Sequence, residues 1–318
     1  FIRNFATISG AVAGRIVAQI AVCLVLVWIV TGVIADARTK DAFEDEELQA
    51  KTNLESISNN VAQTIQRLRG FASIIAKDEA TKTTLKRLNR EKPARVRGKE
   101  VGGIAADLDK YLATAAENLP ADLIWVVDAD GIAVASSNAE TPYSLVGGNY
   151  TNRQYFRDAR AGRTGQQFAI GRNTGVAGLY FSSPVFDGDK FLGATIIKWD
   201  IPHLTALISV DNVFIVDEVG VTIAARNKDL IFRAMPNATA SDLPTQEKLS
   251  RYGISEFKTL RINWRNDTHY PGVGSIDENP QPLIFTAKSI LDDAITVHVA
   301  HPFDRLQEFS GARIISFA

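Results

Sequence analysis

The sequence has little of what several common classes of protein require. Its one cysteine, Cys23, cannot form a disulfide within the chain and lies in the most hydrophobic part of the sequence. Redox chemistry on paired thiols and a disulfide-stapled secreted fold are therefore disfavoured. The formal net charge is only −1, from 35 basic and 36 acidic side chains, which argues against a broad surface for nucleic acid.

Motifs that carry catalysis are also missing. The sequence contains no phosphate-binding loop, zinc-binding helix motif, cysteine pair or nucleophile elbow. Of four histidines only His298 and His301 are close, and three residues along a strand they face opposite sides, which disfavours a metal site. Asp128 and Asp130 are neighbours in a turn, not two carboxylates across a cleft. We therefore expect no catalysis by this chain, no cofactor and no metal.

One long apolar segment is present, from residue 16 to residue 35. About 20 helical residues rising 1.5 Å each match the roughly 30 Å of hydrocarbon in a bilayer, which predicts a transmembrane helix. A cleaved signal peptide is the alternative, because residues 35–37 resemble a small-residue cleavage site, although the run exceeds a usual signal core. Arg3 and Arg15 precede the segment and give mild support for an N-terminus inside the cell.

The segment that follows has the pattern of an amphipathic helix from about residue 41 to 77. Its apolar residues recur at steps of three and four, at Leu54, Ile57, Val61, Ile65, Leu68, Phe71 and Ile75. This stripe can pack on its own domain, face a second copy of the chain or do both, and we predict a homodimer through this helix.

Two further segments follow before the first predicted strand. Residues 85–99 are strongly basic and contain Pro93, which predicts a solvated loop. Apolar residues at Leu108, Leu112 and Ala115 then predict a helix that ends near Pro120.

The second half of the chain resembles itself. LIWVVDADGIAVASSN, residues 123–138, aligns with NVFIVDEVGVTIAARN, residues 212–227. In both copies an apolar run, an Asp-x-x-Gly turn and a second apolar run predict a β-hairpin. Later hairpins around residues 187–189 and 292–293 complete the parallel. The predicted fold class is therefore α+β, with two tandem modules built on antiparallel sheets and preceded by a long helix.

Two cationic side chains have unusual surroundings. In NYTNRQYF, residues 149–156, Arg153 lies among aromatic side chains, and the spacing of Thr151 and Gln154 predicts a capping box and a helix ending at Gly162. Free N–H groups at that helix start and a forked guanidinium suit an anion. Lys198 shares a strand face with apolar residues, which is costly unless an anion accompanies it; alternatively it pairs with Asp200 at the strand end.

These features resemble a known family. The long helix after an apolar segment, the doubled hairpin and the runs Y-x-x-R-x-Y-F, FAIGRNTG, GLYFSSPV and GATIIKWD are similar to those of periplasmic double Cache sensors, which are built from PAS-like modules. The most similar subgroup is the sensor region of C4-dicarboxylate sensor histidine kinases, and the resemblance covers most of residues 36–310.

The resemblance implies a ligand pocket in the first module. Its implied ligand-binding residues are Tyr150, Arg153, Tyr155, Asn173, Thr174, Tyr180, Ser182 and Lys198. Relatives that bind amino acids have aspartates at the positions of Ser182 and Lys198. With a hydroxyl and a cation there, and no acidic residue expected to neutralise Arg153 and Lys198, a small acid with one or two carboxylates is the predicted ligand. Arg172 is not expected by the pattern and is interpreted as a charge at the rim.

The resemblance also implies an organisation for the chain. Residues 1–35 form a tail and transmembrane helix, 36–118 a stalk helix and helical bundle, 119–206 a membrane-distal ligand-binding module and 207–304 a membrane-proximal module. The second module lacks the arginine motif and has about Ala300 at the position of Lys198. It is therefore predicted to transmit the signal or to hold the pocket away from the membrane. Residues 305–318 are predicted to lead into a second transmembrane segment.

The implied function is a periplasmic sensor on a bacterial inner membrane, with the bilayer, a small carboxylate and a second copy of the chain as partners. A histidine kinase of a two-component system is the expected output domain, and a diguanylate cyclase or chemoreceptor is the alternative. Two other classes stay open: an anchored solute-binding protein without a signalling partner, and an adhesion module whose pocket is filled by side chains.

Overall fold

Helices make up the first third of the structure. The computed structural model describes residues 10–91, 102–265 and 268–304. Helix α1 is Gly10–Lys77, α2 is Glu79–Glu91 and α3 is Gly102–Asn118. The first is one continuous helix through both the apolar and the amphipathic segments, and α3 confirms the helix expected before Pro120.

Helix α2 corrects one prediction. Residues 85–91 were expected in a loop, but they are helical, with Leu85 and Leu88 buried. The apolar face of a short amphipathic helix outweighs the density of basic side chains, one of which, Lys86, pairs with Asp187 at 2.8 Å. Pro93 and the rest of that basic segment lie outside the described residues.

The two parts of α1 differ in burial. Its most hydrophobic stretch is exposed along its length, and the helix from Gly14 to Lys77 is long and apolar enough to cross a membrane. In the amphipathic part, Ile57, Val61, Ile65 and Leu68 are buried within the chain. Packing on its own domain is thus confirmed for this stripe, and the homodimer stays a prediction.

The first sheet is antiparallel and has five strands. Its elements are β1 Leu123–Asp128, β2 Ala133–Ser136, α4 Gln154–Arg160, β3 Gly165–Ile170, β4 Ala177–Asp187 and β5 Lys190–Asp200. The strand order is β2-β1-β5-β4-β3. Helix α4 packs on β3, β4 and β5 and contributes Tyr155, Phe156 and Ala159 to the buried core.

The second sheet repeats this order. The chain continues with α5 Ile201–Ala206, β6 Val213–Asp217, β7 Thr222–Ala225, α6 Thr245–Tyr252, β8 Ile262–Trp264, β9 Val273–Ile276, β10 Leu283–Ile290 and β11 Ile295–Pro302. The order is β7-β6-β11-β10-β9-β8, so β7, β6, β11, β10 and β9 take the places of the five strands above. The predicted α+β class with repeated antiparallel sheets is confirmed.

The two hairpins also repeat in atomic detail. The carboxylate of Asp128 accepts hydrogen bonds from the amides of Asp130 and Ile132, both at 3.0 Å. The carboxylate of Asp217 accepts from Val219 at 3.2 Å and from Val221 at 2.9 Å. Each turn then needs a positive φ, at Gly131 (77°) and Gly220 (87°), which glycine adopts without strain. This explains why Asp-x-x-Gly recurs.

The chain divides into two compact units. One contains the described residues of 1–51, 263–285 and 300–318, and its apolar cluster joins Phe43, Tyr270, Val273, Ile284 and Phe303. The other contains Thr52–Ile262 and Thr286–Val299, and it holds the first sheet and the candidate site. The module boundaries predicted above stay a prediction, and the predicted helix at 305–318 lies outside the described residues.

Candidate functional site

A cavity lies beside the first sheet. It encloses about 320 Å³ of space not filled by protein, part of it open to solvent. The lining residues are Leu123, Trp125, Leu145, Tyr150, Arg153, Tyr155, Gly171, Arg172, Asn173, Thr174, Tyr180 and Lys198. Seven of the eight predicted site residues are thus brought together by the fold. Among the described residues no three His, Cys, Asp or Glu side chains are grouped to hold a metal.

Strand register and aromatic packing build the cavity wall. Lys198 on β5 pairs with Leu123 on β1 and with Tyr180 on β4, which places all three on neighbouring strands. The rings of Tyr155 and Tyr180 stack with centroids 5.3 Å apart, and Trp125 meets both edge-on at 6.1 and 5.9 Å. Such pairs stabilise a rigid aromatic wall, and the polar ends of these side chains remain available for hydrogen bonds.

Arg153 is a buried cation with neutral partners. Its side chain is 3% exposed, and its terminal nitrogens donate to the carbonyl and hydroxyl of Ser250 and to the carbonyl of Ile170, each at 3.2 Å. No carboxylate partners it in the part of the chain that the structure describes. A guanidinium withdrawn from water without a counter-charge costs free energy, which a bound anion would offset.

The capping box predicted at the start of α4 is wrong. Arg153 is the N-cap residue and makes no side-chain cap, while Thr151 bonds to the side chain of Asn149. The amide of Gln154 instead donates to the side chain of Gln167 on β3 at 3.0 Å. That N–H is therefore not free for an anion, and an anion at this site would have to be held by side chains.

Within the described residues, three buried donors at the cavity lack a hydrogen-bond partner. They are the Nε of Arg153, the indole Nε1 of Trp125 and the hydroxyl of Tyr155. Burial raises the pKa of Tyr155 well above its ordinary value and raises that of Tyr180, so both hydroxyls keep their protons. Since an ionised carboxylate is purely an acceptor, its oxygens match this set of donors.

Lys198 has a counter-charge. Its side chain is 2% exposed, and its ammonium group forms an ion pair with Asp200 and lies 3.4 Å from the hydroxyl of Thr174. The expectation that no acidic residue neutralises the two cations is therefore wrong for Lys198, and the alternative pairing with Asp200 is confirmed. Burial raises the pKa of Asp200, although Lys198 acts in the opposite direction. The pattern of alternation alone could not choose between these two arrangements.

Two glycines make room for this lysine and its loop. A Cβ atom on Gly178 would lie 3.0 Å from the Cε of Lys198, and one on Gly171 would lie 2.5 Å from the Thr174 hydroxyl. Real side chains essentially never make contacts as close as the second, so the loop could not take this course with another residue there. Neither glycine was assigned a role from the sequence, although Gly171 lies within the run FAIGRNTG and Gly178 begins the run GLYFSSPV.

Ser182 is not among the residues that line the cavity, which corrects its predicted role. Its hydroxyl donates to the carbonyl of Tyr155 at 2.6 Å and accepts from the amide of Gly165 at 3.2 Å. Ser182 thus anchors α4 to the sheet and has no hydroxyl proton left for a ligand. Asn173 does line the cavity, and its amide donates to the carbonyl of Ser144 at 3.2 Å.

Arg172, which was interpreted from the sequence as a charge at the rim, lines the cavity. It is exposed, donates to the carbonyl of Asn149 at 2.8 Å and to the side chain of Asn152, and lies 6.0 Å from the centre of the Tyr150 ring. These contacts hold its guanidinium at the mouth. The signal for it was a cation inside a turn that also supplies Asn173 and Thr174.

Two curated relatives match 45% of the chain each. The C4-dicarboxylate transport sensor protein DctB of Pseudomonas aeruginosa is 29% identical over 144 residues, and that of Rhizobium meliloti is 30% identical over 142. The chain covers 24% and 21% of these proteins, so it spans less than a quarter of their length.

Solved structures show the same fold. The sensor domain of the V. cholerae histidine kinase DctB superposes with a TM-score of 0.65 at 20% identity, over 80% of this chain and 96% of that one. The ligand-binding domain of the Pseudomonas aeruginosa PAO1 amino acid chemoreceptor PctC, in complex with GABA, gives 0.50 at 14% identity, over 81% and 99%.

The family follows from a match to most of the chain. A family model of the Cache domain, dCache_1, covers residues 35–279, which include the amphipathic part of α1, the whole first sheet and the first strands of the second. Together with the fold and the cavity, this match confirms the resemblance stated from the sequence. The chain belongs to the Cache domain family.

Proposed function

We propose that this chain is the extracytoplasmic sensor region of a bacterial transmembrane receptor and that the cavity binds a small carboxylate of the C4-dicarboxylate type. The similarity to the two DctB proteins supports the ligand class. The observation that carries the proposal is the buried Arg153, whose described partners are all neutral and whose Nε lies unpartnered in the same cavity as two other unpartnered donors.

An acid fits this cavity better than an amino acid. A carboxylate would accept charge-assisted hydrogen bonds from Arg153, which are about twice as strong as neutral ones. The ammonium group of an amino acid would need an acidic acceptor, and no lining residue is acidic. Asp200, two residues along β5 from Lys198, is engaged with that lysine. The ammonium group of an amino acid would compete with Lys198 for this partly buried carboxylate, and loss of a partner from such a pair is costly.

The apolar part of α1 supplies the anchor in this proposal. It would cross the inner membrane and leave the sheets in the periplasm, with a second copy of the chain packed along the helix. An output domain, most simply a histidine kinase as in the DctB relatives, responds if the ligand binds one conformation more tightly than the other. A diguanylate cyclase, a chemoreceptor or a solute-binding role without output is the alternative.

Thermal unfolding of the full chain in detergent tests the ligand class. Succinate, fumarate and malate should raise the midpoint by mass action, and Arg153→Ala should remove this rise. Arg157→Ala is the matched control, because Arg157 is an exposed arginine of α4 whose partners among the described residues are Gln154 and Asn152. A midpoint raised by amino acids alone, or an Arg153→Ala protein that still responds to acids, would contradict the proposal.

A further inference from the structure

The cations of the cavity do not have equal counter-charges. Three cationic side chains line it: Arg153, Arg172 and Lys198. Lys198 is neutralised by Asp200, whereas within the described residues neither arginine is paired with a carboxylate. The cavity therefore carries two uncompensated positive charges, and both belong to guanidinium groups.

The two arginines are held at different depths. Arg153 is buried and faces the aromatic wall, while Arg172 is exposed and lies over the ring of Tyr150. Partial burial lowers the pKa of Arg172, and the positive charge of Arg153 lowers it further. The two guanidiniums thus repel one another across the cavity, and a dianion between them would remove this repulsion.

Arg172 is positioned before any ligand arrives. One of its terminal nitrogens donates to the carbonyl of Asn149 and the other to the side chain of Asn152, and the aromatic face of Tyr150 supports its plane. A guanidinium has five N–H donors, so a fork fixed by two neutral acceptors keeps N–H groups for a carboxylate.

From this arrangement we infer that Arg172 is the specificity-determining residue for a second carboxylate, so that the site selects dianionic acids over monoanionic acids of the same length. One carboxylate is held at depth by Arg153 and the other at the mouth by Arg172. Lys198 supplies a hydrogen bond but no net charge, since Asp200 already compensates it. The inference rests on the proposed function and names which side chain reads the second charge.

Lys198 is the competing assignment. To pair with a ligand carboxylate it would have to leave Asp200, and that partly buried carboxylate would lose its counter-charge. Removing one partner from a buried pair is strongly unfavourable. Arg172 needs no such exchange, because its present partners are a carbonyl and an amide oxygen.

Calorimetric titration of the full chain in detergent with succinate and with butyrate tests the inference. The two ligands have the same number of carbons and differ in one carboxylate. Arg172→Gln should weaken succinate binding about 10- to 100-fold, as expected for one hydrogen-bonded charge, and change butyrate binding less than about threefold. Arg172→Lys should recover part of the loss, since it restores the charge without the fork.

Two further variants complete the experiment. Arg163→Gln is the matched control, because Arg163 is an exposed arginine that pairs with Asp158, and it should leave both affinities unchanged. The double variant Lys198→Gln/Asp200→Asn removes the ion pair without changing the net charge, so it should weaken both ligands by similar factors and preserve the preference for succinate.

Each result decides one question. A preference for succinate that survives Arg172→Gln, or that disappears with Lys198→Gln/Asp200→Asn instead, would overturn the inference and leave the proposed function intact. Failure of succinate to bind here, together with no rise in the unfolding midpoint from succinate, fumarate or malate, would overturn the proposed function itself. Loss of the preference in Arg172→Gln alone would support both.

Discussion

Two buried arginines of this chain have opposite surroundings. Arg153, which lines the cavity beside the first sheet, is 3% exposed, and its described partners are neutral oxygens. Arg251 on α6 is 4% exposed, yet it lies 3.3 Å from the carboxylate of Asp217 and 2.6 Å from that of Glu218. Burial of an arginine therefore does not by itself mark an anion site. The partners decide, and where the protein supplies its own carboxylates no charge is left for a ligand.

The repeated sheets show the same contrast strand by strand. Phe214 in the second sheet takes the place of Trp125 in the first, and its neighbour on β11 is His298, where Trp125 has Ile196 on β5. Two residues further along these strands come Ala300 and Lys198 respectively. This agrees with the sequence expectation that the second module has no lysine at this position. The cavity described above lies beside the first sheet, whereas at the β6-β7 turn of the second sheet the carboxylate of Asp217 accepts hydrogen bonds from Arg251 and Tyr252.

The largest expected effect concerns the cluster in which Arg251 pairs with Asp217 and Glu218. Arg251→Met should lower the free energy of unfolding by about 3–5 kcal/mol, because it leaves the carboxylate of Asp217 buried without its cation. Urea denaturation measures the change. Arg226→Met, which removes an exposed ion pair with Asp211, is the control and should cost less than about 1 kcal/mol. Equal losses in the two variants would mean that the cluster is no more stabilising than a surface pair.

A smaller effect should depend on pH. Burial lowers the pKa of His298 to about 4, from about 6.5 in an unfolded chain. The unfolded state then binds the proton first, so stability is lost as pH falls from about 6.5 towards 4. Between pH 7 and 5 this group should cost about 2 kcal/mol. His298→Phe, which retains an aromatic ring against Phe214, should remove this share of the pH dependence in urea denaturation, and an unchanged dependence would contradict it.

The smallest effect is expected at the cavity arginine. Arg153→Met should change the free energy of unfolding of the ligand-free chain by less than about 1 kcal/mol, since the lost hydrogen bonds are offset by the removal of an uncompensated buried charge. Comparison with Arg251→Met by urea denaturation checks the contrast directly. A loss near that of Arg251→Met would mean that Arg153 is a structural residue and would remove the basis of the comparison.

The fold could be predicted to a large extent because its signals are local. Asp-x-x-Gly turns between apolar runs determine the hairpins, and the spacing of Ile57, Val61 and Ile65 determines the buried face of α1. The capping box failed because the partners were not local: Asn149 takes the hydroxyl of Thr151, and Gln167 from a strand reaches the amide of Gln154. Spacing in the sequence cannot show which acceptor from a distant part of the chain lies beside a given donor in the folded protein.

The sequence predicted which residues line the site better than it predicted how their charges are paired. The motif around Arg153 and the position of Lys198 located the cavity, yet the pairing of Lys198 with Asp200 and the placement of Arg172 depend on strand ends and loop geometry. Ser182 shares a strand face with Tyr180, but α4 covers that end of the strand and takes the hydroxyl. Alternation identifies the face of a sheet, and helix packing decides which part of the face stays open.

Two neighbouring residues of helix α6 contact two different sites, the cavity arginine and the β6-β7 turn. Ser250 accepts hydrogen bonds from Arg153, and the next residue, Arg251, grips the carboxylate that caps the β6-β7 turn. An anion that draws the guanidinium of Arg153 away from Ser250 would remove hydrogen bonds from the last turn of α6. Because Arg251 is the next residue, a shift of this turn would also change its contact with Asp217 in the β6-β7 hairpin. Ligand binding would then affect the second sheet through α6. The first measurable sign should be faster amide hydrogen exchange in residues 245–252 when the ligand is bound.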